Sequence, residues 1–434
     1  MFEFFCVEEQ NIQRDVEKRL MNILVIGNGF DLAHGLPTKY EHFLEWVKVI
    51  KQVVKVKKGE TFKDVDWGNV NDKIIDLIID RSMSGNQNVF PYEKICNELL
   101  YDNIWIDYFL ECNMYQKENW IDFESEISNV IQAIDKDMHG LSKVYKLEDE
   151  FERLSNGFLN RKYYESQMTF KDLRDRLLSD LNKLIRAFEI YLCEYVEKIE
   201  VERRSPDIES LEEIGYILSF NYTDTYRNIY DVKDDIEYDY FHGKAKIENT
   251  VETNNMVLGI DEYLSDTMRN ENTDFIAFKK FYQRIYKDCE ELAVNWCADI
   301  RKEFEYSAYS RKFMIEDQIS FELVSKESDN LYRWEQFEKL AFKYDKEYEQ
   351  KHPKHNLYIF GHSLDVTDKD ILRQLILNDN VKTTVFYPDK KELGKKIANL
   401  VKVIGQDELI RRTGGSTKTI EFKLQQDMVE REWF

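Results

Sequence analysis

The sequence predicts an α/β protein, a Rossmann-like parallel sheet carrying large helical insertions. Three observations predict it. The apolar run Ile23–Ile26 passes directly into the glycine-rich turn Gly27-Asn28-Gly29, as the first strand of a nucleotide-binding sheet does. The other short apolar or β-branched runs all fall after residue 210, several ending in Gly, Asn or His. Between the two lies a long region in which Leu173, Leu177, Leu181, Leu184, Phe188 and Tyr195 recur at helical spacing.

Taken in order, the strands are expected at Ile23–Ile26, Tyr216–Phe220, Tyr238–Phe241, Met256–Ile260, Leu357–Phe360, Thr383–Tyr387 and Thr419–Phe422. Residues 1–20 read as an N-terminal extension ahead of Met21. The core is then assembled from 21–66, 206–268 and 353–434. Residues 67–205 form a first helical insertion and 269–352 a second, the latter with helix over about Asn270 to Gln350. Their apolar stripes read as packing faces, because an amphipathic helix needs a surface to bury against.

With 43% hydrophobic residues, 27 Phe and 26 Tyr, the chain has ample material for a core. Its formal charge of −22 repels nucleic-acid backbones and disfavours them as partners. The basic run Lys48, Lys51, Lys55, Lys57 and Lys58 reads as a solvated helix face. The cysteines Cys6, Cys96, Cys112, Cys193, Cys289 and Cys297 form no C-x-x-C pair and fit reduced thiols in a cytoplasm. No run is long enough to span a bilayer, and no secretory signal is evident.

The chemistry-bearing residues gather at predicted strand ends, where an open α/β sheet binds its ligands. Gly27 and Gly29 let a backbone approach a pyrophosphate, with Asn28, Phe30 and Asp31 beside them and Gly35 and Pro37 closing the loop. The spacing is neither G-x-G-x-x-G nor a P-loop, so a merely structural turn is the alternative. Asn221, Thr223 and Asp224 end the second predicted strand, as ligand groups or as turn and cap residues. His242 precedes Gly243 and offers a base with an unperturbed pKa near ~6.5. Val257–Glu262 ends another run with two carboxylates. Gly361, His362, Ser363 and Asp365, with Asp368 beyond, suggest a second phosphate or ribose contact. Absence of H-x-x-x-H and H-E-x-x-H spacing argues against a metal.

The segments Gly27–Asp31 through Gly35-Leu36-Pro37, Ser219–Thr225, Phe241-His242-Gly243, Gly259-Ile260-Asp261 and Gly361–Asp365 together resemble the AbiH family of bacteriophage abortive-infection proteins. Trp120–Glu124 and Gln283-Arg284 fit the same pattern. More distantly, Gly27, Gly29, Gly35, Pro37, Asn221, His242-Gly243, Gly361 and Ser363 resemble the motifs of sirtuin-like NAD-binding domains. Thr223 stands where that pattern has aspartate, Phe220 where it has a polar residue, and the zinc-binding C-x-x-C pairs of deacylases are missing.

The resemblance implies phage defence by hydrolysis of NAD at its nicotinamide–ribose bond, with NAD as substrate and no metal. It implies Asn221 at the ribose and water, His242 as proton acceptor, and Asp31 or Asp224 stabilising the ribose cation. Gly361 and Ser363 would hold the adenosine half or phosphates. A nucleotide sensor on the same fold is the alternative, and a nuclease-type toxin the second. A phage component or partner defence protein is the expected trigger; a homo-oligomer stays open. Asp122 and Glu124 read as structural, and His34 and His362 as ligand-facing or supporting.

Overall fold

A computed structural model describes residues 20–56, 62–83, 92–111, 122–145, 169–231, 233–265, 268, 271–289, 291–304, 354–415 and 418–430. The 1–20 extension up to residue 19, Trp120 and Ile121, Lys57 and Lys58, Cys6 and Cys112, and 305–352 of the second insertion lie outside them.

Six strands form one sheet among the described residues: β1 (Asn22–Ile26), β2 (Tyr216–Ser219), β3 (Glu237–Tyr240), β4 (His355–Phe360), β5 (Val381–Tyr387) and β6 (Ile420–Leu424). Every pairing is parallel, and the spatial order is β3-β2-β1-β4-β5-β6. This is the dinucleotide-fold order, with its reversal point between β1 and β4. β1 is apolar on both faces because both are covered. Ile23 and Val25 pack with Leu218, Leu357 and Ile359, while Leu24 and Ile26 pack with Ile217, Phe360 and Phe386.

A third, larger cluster belongs to helices. The helix α1 (Asn28–Ala33) leaves β1, and α2 (Tyr40–Val53) follows. The first insertion contributes α3 (Ile104–Glu111), α4 (Phe123–Tyr145) and α5 (Phe170–Glu194). α5 starts on a reciprocal Thr169–Asp172 capping box and buries Leu173, Leu177, Leu181 and Leu184. Each such leucine contributes about 1.5–3 kcal/mol on burial. α2 turns its apolar side, including Phe43 and Trp46, into this same helical cluster. Among the described residues no helix is long and apolar enough to cross a membrane.

One expected strand is absent. Met256–Ile260 joins the sheet nowhere; Ile260 makes only an isolated bridge to Lys279. A side chain does what a neighbouring strand would: Leu258 N donates to Gln283 Oε1, and Gln283 Nε2 donates to Leu258 O, both at 3.1 Å. Backbone groups need partners when buried, and here an amide supplies both. Gln283 lies on α7 (Lys280–Tyr286), which follows α6 (Thr225–Tyr230) among the helices used below.

Candidate functional site

At the carboxyl edge, β3 runs into His242, β2 into Asn221, β1 into Gly27 and β4 into Gly361. The two glycine loops meet backbone to backbone. Gly29 N donates to Gly361 O at 2.8 Å. A Cβ on Gly27 would lie 2.8 Å from His362 Cα, one on Gly29 2.7 Å from Gly361 O, and one on Gly361 2.1 Å from Phe30 N. The close approach that these glycines permit is therefore between the loops themselves.

Beside this seam lies a buried ionic group. Asp368, at the end of a short 3-10 turn, places Oδ1 2.9 Å from His242 Nε2 and Oδ2 3.4 Å from His362 Nε2. The Phe220 ring packs on both imidazoles, at 5.4 and 4.2 Å between centroids. Leu364, buried and at φ +60°, turns its N–H onto His362 Nδ1 at 2.9 Å. A non-glycine residue in the left-handed region costs about 1–2 kcal/mol, and here the strain fixes an imidazole. Since His362 Nδ1 accepts that N–H, its Nε2 carries the hydrogen facing Asp368.

His242 takes the matching tautomer. Burial drives its pKa down to about 4 against the pull of Asp368, so it is neutral at pH 7. Burial would raise Asp368, but Lys280 and His242 hold it well below the usual carboxylate range. An anionic carboxylate only accepts, so His242 Nε2–H donates to it and Nδ1 is left as the lone-pair nitrogen. That Nδ1 is buried and has no hydrogen-bond partner. An oriented imidazole with a bare nitrogen has the lone pair that proton acceptance requires.

Both insertions reach this group. Lys280, 5% exposed at the start of α7, sets Nζ 2.7 Å from Glu124 Oε2 and 3.7 Å from Asp368 Oδ1. Burial would lower Lys280, yet Asp368 and Glu124 keep its ammonium above the usual range. Glu124, in the first turn of α4, is pushed by burial up to about 7 despite Lys280. Tyr222 belongs to the same neighbourhood and donates to Val257 O at 2.7 Å. Among the described residues no group of three His, Cys, Asp or Glu side chains is arranged to hold a metal.

Glu124 carries a testable sign. Its folded pKa of about 7 lies above the unfolded value, so its contribution is favourable at acid pH and is lost as pH rises through 7. Glu124→Gln is therefore expected to gain about 2–3 kcal/mol relative to the parent between pH 5 and pH 8. Urea unfolding at the two pH values checks this, and an unchanged difference sinks it.

A second polar group lies under the first loop. Asp31, 1% exposed, accepts from Thr223 Oγ1 at 2.6 Å, and Thr223 meets Thr225 at 3.1 Å. Its Oδ1 has no hydrogen-bond partner, and burial lifts its pKa to about 6. Asn221 Nδ2 donates to Gly27 O at 3.0 Å, tying β2's end to β1's turn. Asn28 accepts from Thr38, and Pro37 O accepts from Tyr191. A cleft of about 290 Å³ opens beside Thr225, lined also by Leu36, Val196, Glu197 and Asn228.

The structure thus brings His242 and His362 together through Asp368, and Asp31, Thr223 and Asn221 together near Gly27. Asp224 faces elsewhere, between Tyr240 Oη and Lys244 Nζ. Asp365 caps the 3-10 turn by accepting from Thr367 N, and Ser363 is exposed. Gly243, at φ +77°, packs under Asn255 O; Gly35, at φ +80°, has open space. Phe30 is core, against Phe360. His34 supports the fold between Phe30 O and Tyr230 Oη. Sequence reasoning left out Lys280, and it placed Asp368 and Glu124 outside the site. The only sequence signals were a second Asp after the Gly361–Asp365 motif, and the nearness of Lys280 to Gln283-Arg284.

Compared with known families, the chain matches Bacteriophage abortive infection AbiH over residues 23–387, from β1 to the end of β5. No curated protein matches it. No solved structure matches it either. The match takes in both insertions and all four strand ends that build the site, and the chain belongs to the AbiH family of bacteriophage abortive infection proteins.

Proposed function

We propose that this AbiH chain serves abortive infection by hydrolysing NAD at the nicotinamide–ribose bond, at the carboxyl edge of its sheet. One observation carries the reading: His242, held by Asp368 with Nδ1 bare, stands at that edge of a sheet in dinucleotide-fold order. In the reaction the ribose C1′–N bond breaks and nicotinamide leaves with the electron pair. Water oxygen bonds to C1′ and its proton passes to His242 Nδ1. The sugar is cationic in the transition state, where ionised Asp31 stabilises it. Asn221 positions Gly27 and Asp31 around the ribose. The cleft beside Thr225 gives room for a nucleobase, with Glu197 and Asn228 as hydrogen-bonding groups.

The direct contact of Gly29 with Gly361 and the burial of His242 favour a second reading, a nucleotide sensor without turnover. Chromatography of NAD incubated with the full chain separates the two. Hydrolysis predicts free nicotinamide, reduced about 10²–10⁴-fold by His242→Ala and diminished by Asn221→Ala. Intact NAD in vitro, together with unchanged NAD in phage-challenged cells, would overturn hydrolysis; retention of intact nucleotide on the protein would then establish the sensor.

A further inference from the structure

We propose that Lys280 is the positioning residue of the His242–Asp368 pair: its ammonium holds Asp368 as the anion that fixes which nitrogen of His242 is bare. The inference rests on the reading in which His242 is the base, and it names the group that keeps that base ready.

The geometry makes Lys280 a built part of the site. Its ammonium is 6% exposed as a side chain and lies against two carboxylates, one from α4 and one from the 3-10 turn after β4. A lysine this buried is retained only when its charge is compensated. Its backbone is planted with equal care. Ile260 N donates to Phe278 O at 2.8 Å, and Lys280 N donates to Ile260 O at 3.0 Å. Lys279 is buried and paired with Glu262, with Nζ 2.9 and 2.8 Å from its two oxygens. Gln283 fastens α7 to Leu258 three residues further on.

The same arrangement explains a motif that the proposed chemistry leaves unused. A Cβ on Gly259 would fall 2.6 Å from Phe278 O and 3.1 Å from Lys280 N. Gly259-Ile260-Asp261 is therefore the seat on which α7 rests, close enough for Lys280 to reach Asp368. Gly259 acts at the site only through Lys280.

The charges facing the pair set the sign of the test. His242 faces Asp368, Lys280 and Arg284, whose guanidinium lies 4.2 Å over the Phe241 ring. Glu124 and Asp261 face both Lys280 and Asp368, with Asp365 and Lys369 near Asp261, and His362 and Tyr222 complete the surroundings. Removing Lys280 deletes a cation next to an imidazole while its carboxylate partner stays. The imidazolium is then favoured, Asp368 pairs with it as an ion, and both ring nitrogens carry hydrogen.

The test is a ¹⁵N NMR titration of His242 in the full chain, assigned by difference with His242→Gln. In the parent, His242 stays in the neutral Nε2–H form down to about pH 4. In Lys280→Met its midpoint is expected to rise by about 1–3 pH units, the range a neighbouring charge commands. Lys280→Arg keeps the charge and is expected to titrate like the parent. Glu124→Gln leaves Lys280 in place, and Glu124, with a pKa of about 7, is already neutral near pH 4, so the His242 midpoint must not rise. An unmoved midpoint in folded Lys280→Met, or an upward shift in Glu124→Gln, overturns the proposal. If Lys280→Met does not fold, the arginine and Glu124→Gln titrations decide, since a purely steric role for Lys280 predicts a shifted arginine variant. The readout needs no turnover, so loss of the NAD reading and loss of this one are separately visible.

Discussion

Gly361→Ala is expected to destabilise the protein by about 4 kcal/mol or more, without any ligand present. Two terms add. The residue sits at φ +71°, where a side chain costs about 1–2 kcal/mol. Its Cβ would then lie 2.1 Å from Phe30 N, so the loops after β1 and β4 must part and the Gly29–Gly361 hydrogen bond goes with them. Gly35→Ala isolates the first term: φ is +80° but nothing lies within 4 Å, so a loss of only about 1–2 kcal/mol is expected. Chemical denaturation of both variants measures the contrast. It also decides what the glycines are for, because a turn shaped only to admit phosphate would lose ligand in Gly361→Ala and keep its unfolding midpoint.

Asp368→Asn is the second large effect, and it strikes stability and function together. Asparagine matches the shape but withdraws the anion shared by His242, His362 and Lys280. Removing one member of a buried ionic group typically costs about 3–5 kcal/mol, because the charge left behind is uncompensated. Asp368 titrates well below its unfolded value, so its contribution is fully present above about pH 4 and fades as pH falls through the folded value. The gap between parent and variant should thus be constant from pH 7 to 5 and shrink below about pH 4. On the proposed NAD chemistry, turnover should fall by about 10²–10⁴-fold, and protection against phage with it. A variant that unfolds like the parent at pH 7 would contradict the ionic assignment.

The centre of the sheet was legible because β1 is buried on both faces and is therefore apolar from Ile23 to Ile26. Leu24 and Ile26 point one way, Ile23 and Val25 the other, and all four are covered. Met256–Ile260 carries the same apolar signature for a different reason: it is buried in the helical cluster and hydrogen-bonded by Gln283. Composition cannot distinguish a backbone satisfied by a strand from one satisfied by a side chain. His242 and Asn221 were legible as polar residues ending apolar runs. Lys280 and Glu124 were not, because each lies on an insertion helix and is carried to the site by tertiary packing alone. Asp365 and Asp368 are alike in sequence; only the turn between them sends one to cap a helix and the other to two histidines.

The placement of β1 has a consequence for how the protein is made. β1 leaves the ribosome long before one of its two neighbours, β4: Asn22 and Asn356 are hydrogen-bonded across a separation of 334 residues. At typical elongation rates that interval lasts roughly 20–70 s. The helices of the first insertion have their partners at hand and pack meanwhile, while the edge that carries His242 and Asp368 waits for β4 and the turn after it. A nascent chain that has not reached Asp368 has no closed seam and no oriented His242 imidazole. The centre of the sheet therefore closes only after the segment that supplies Asp368 has been made.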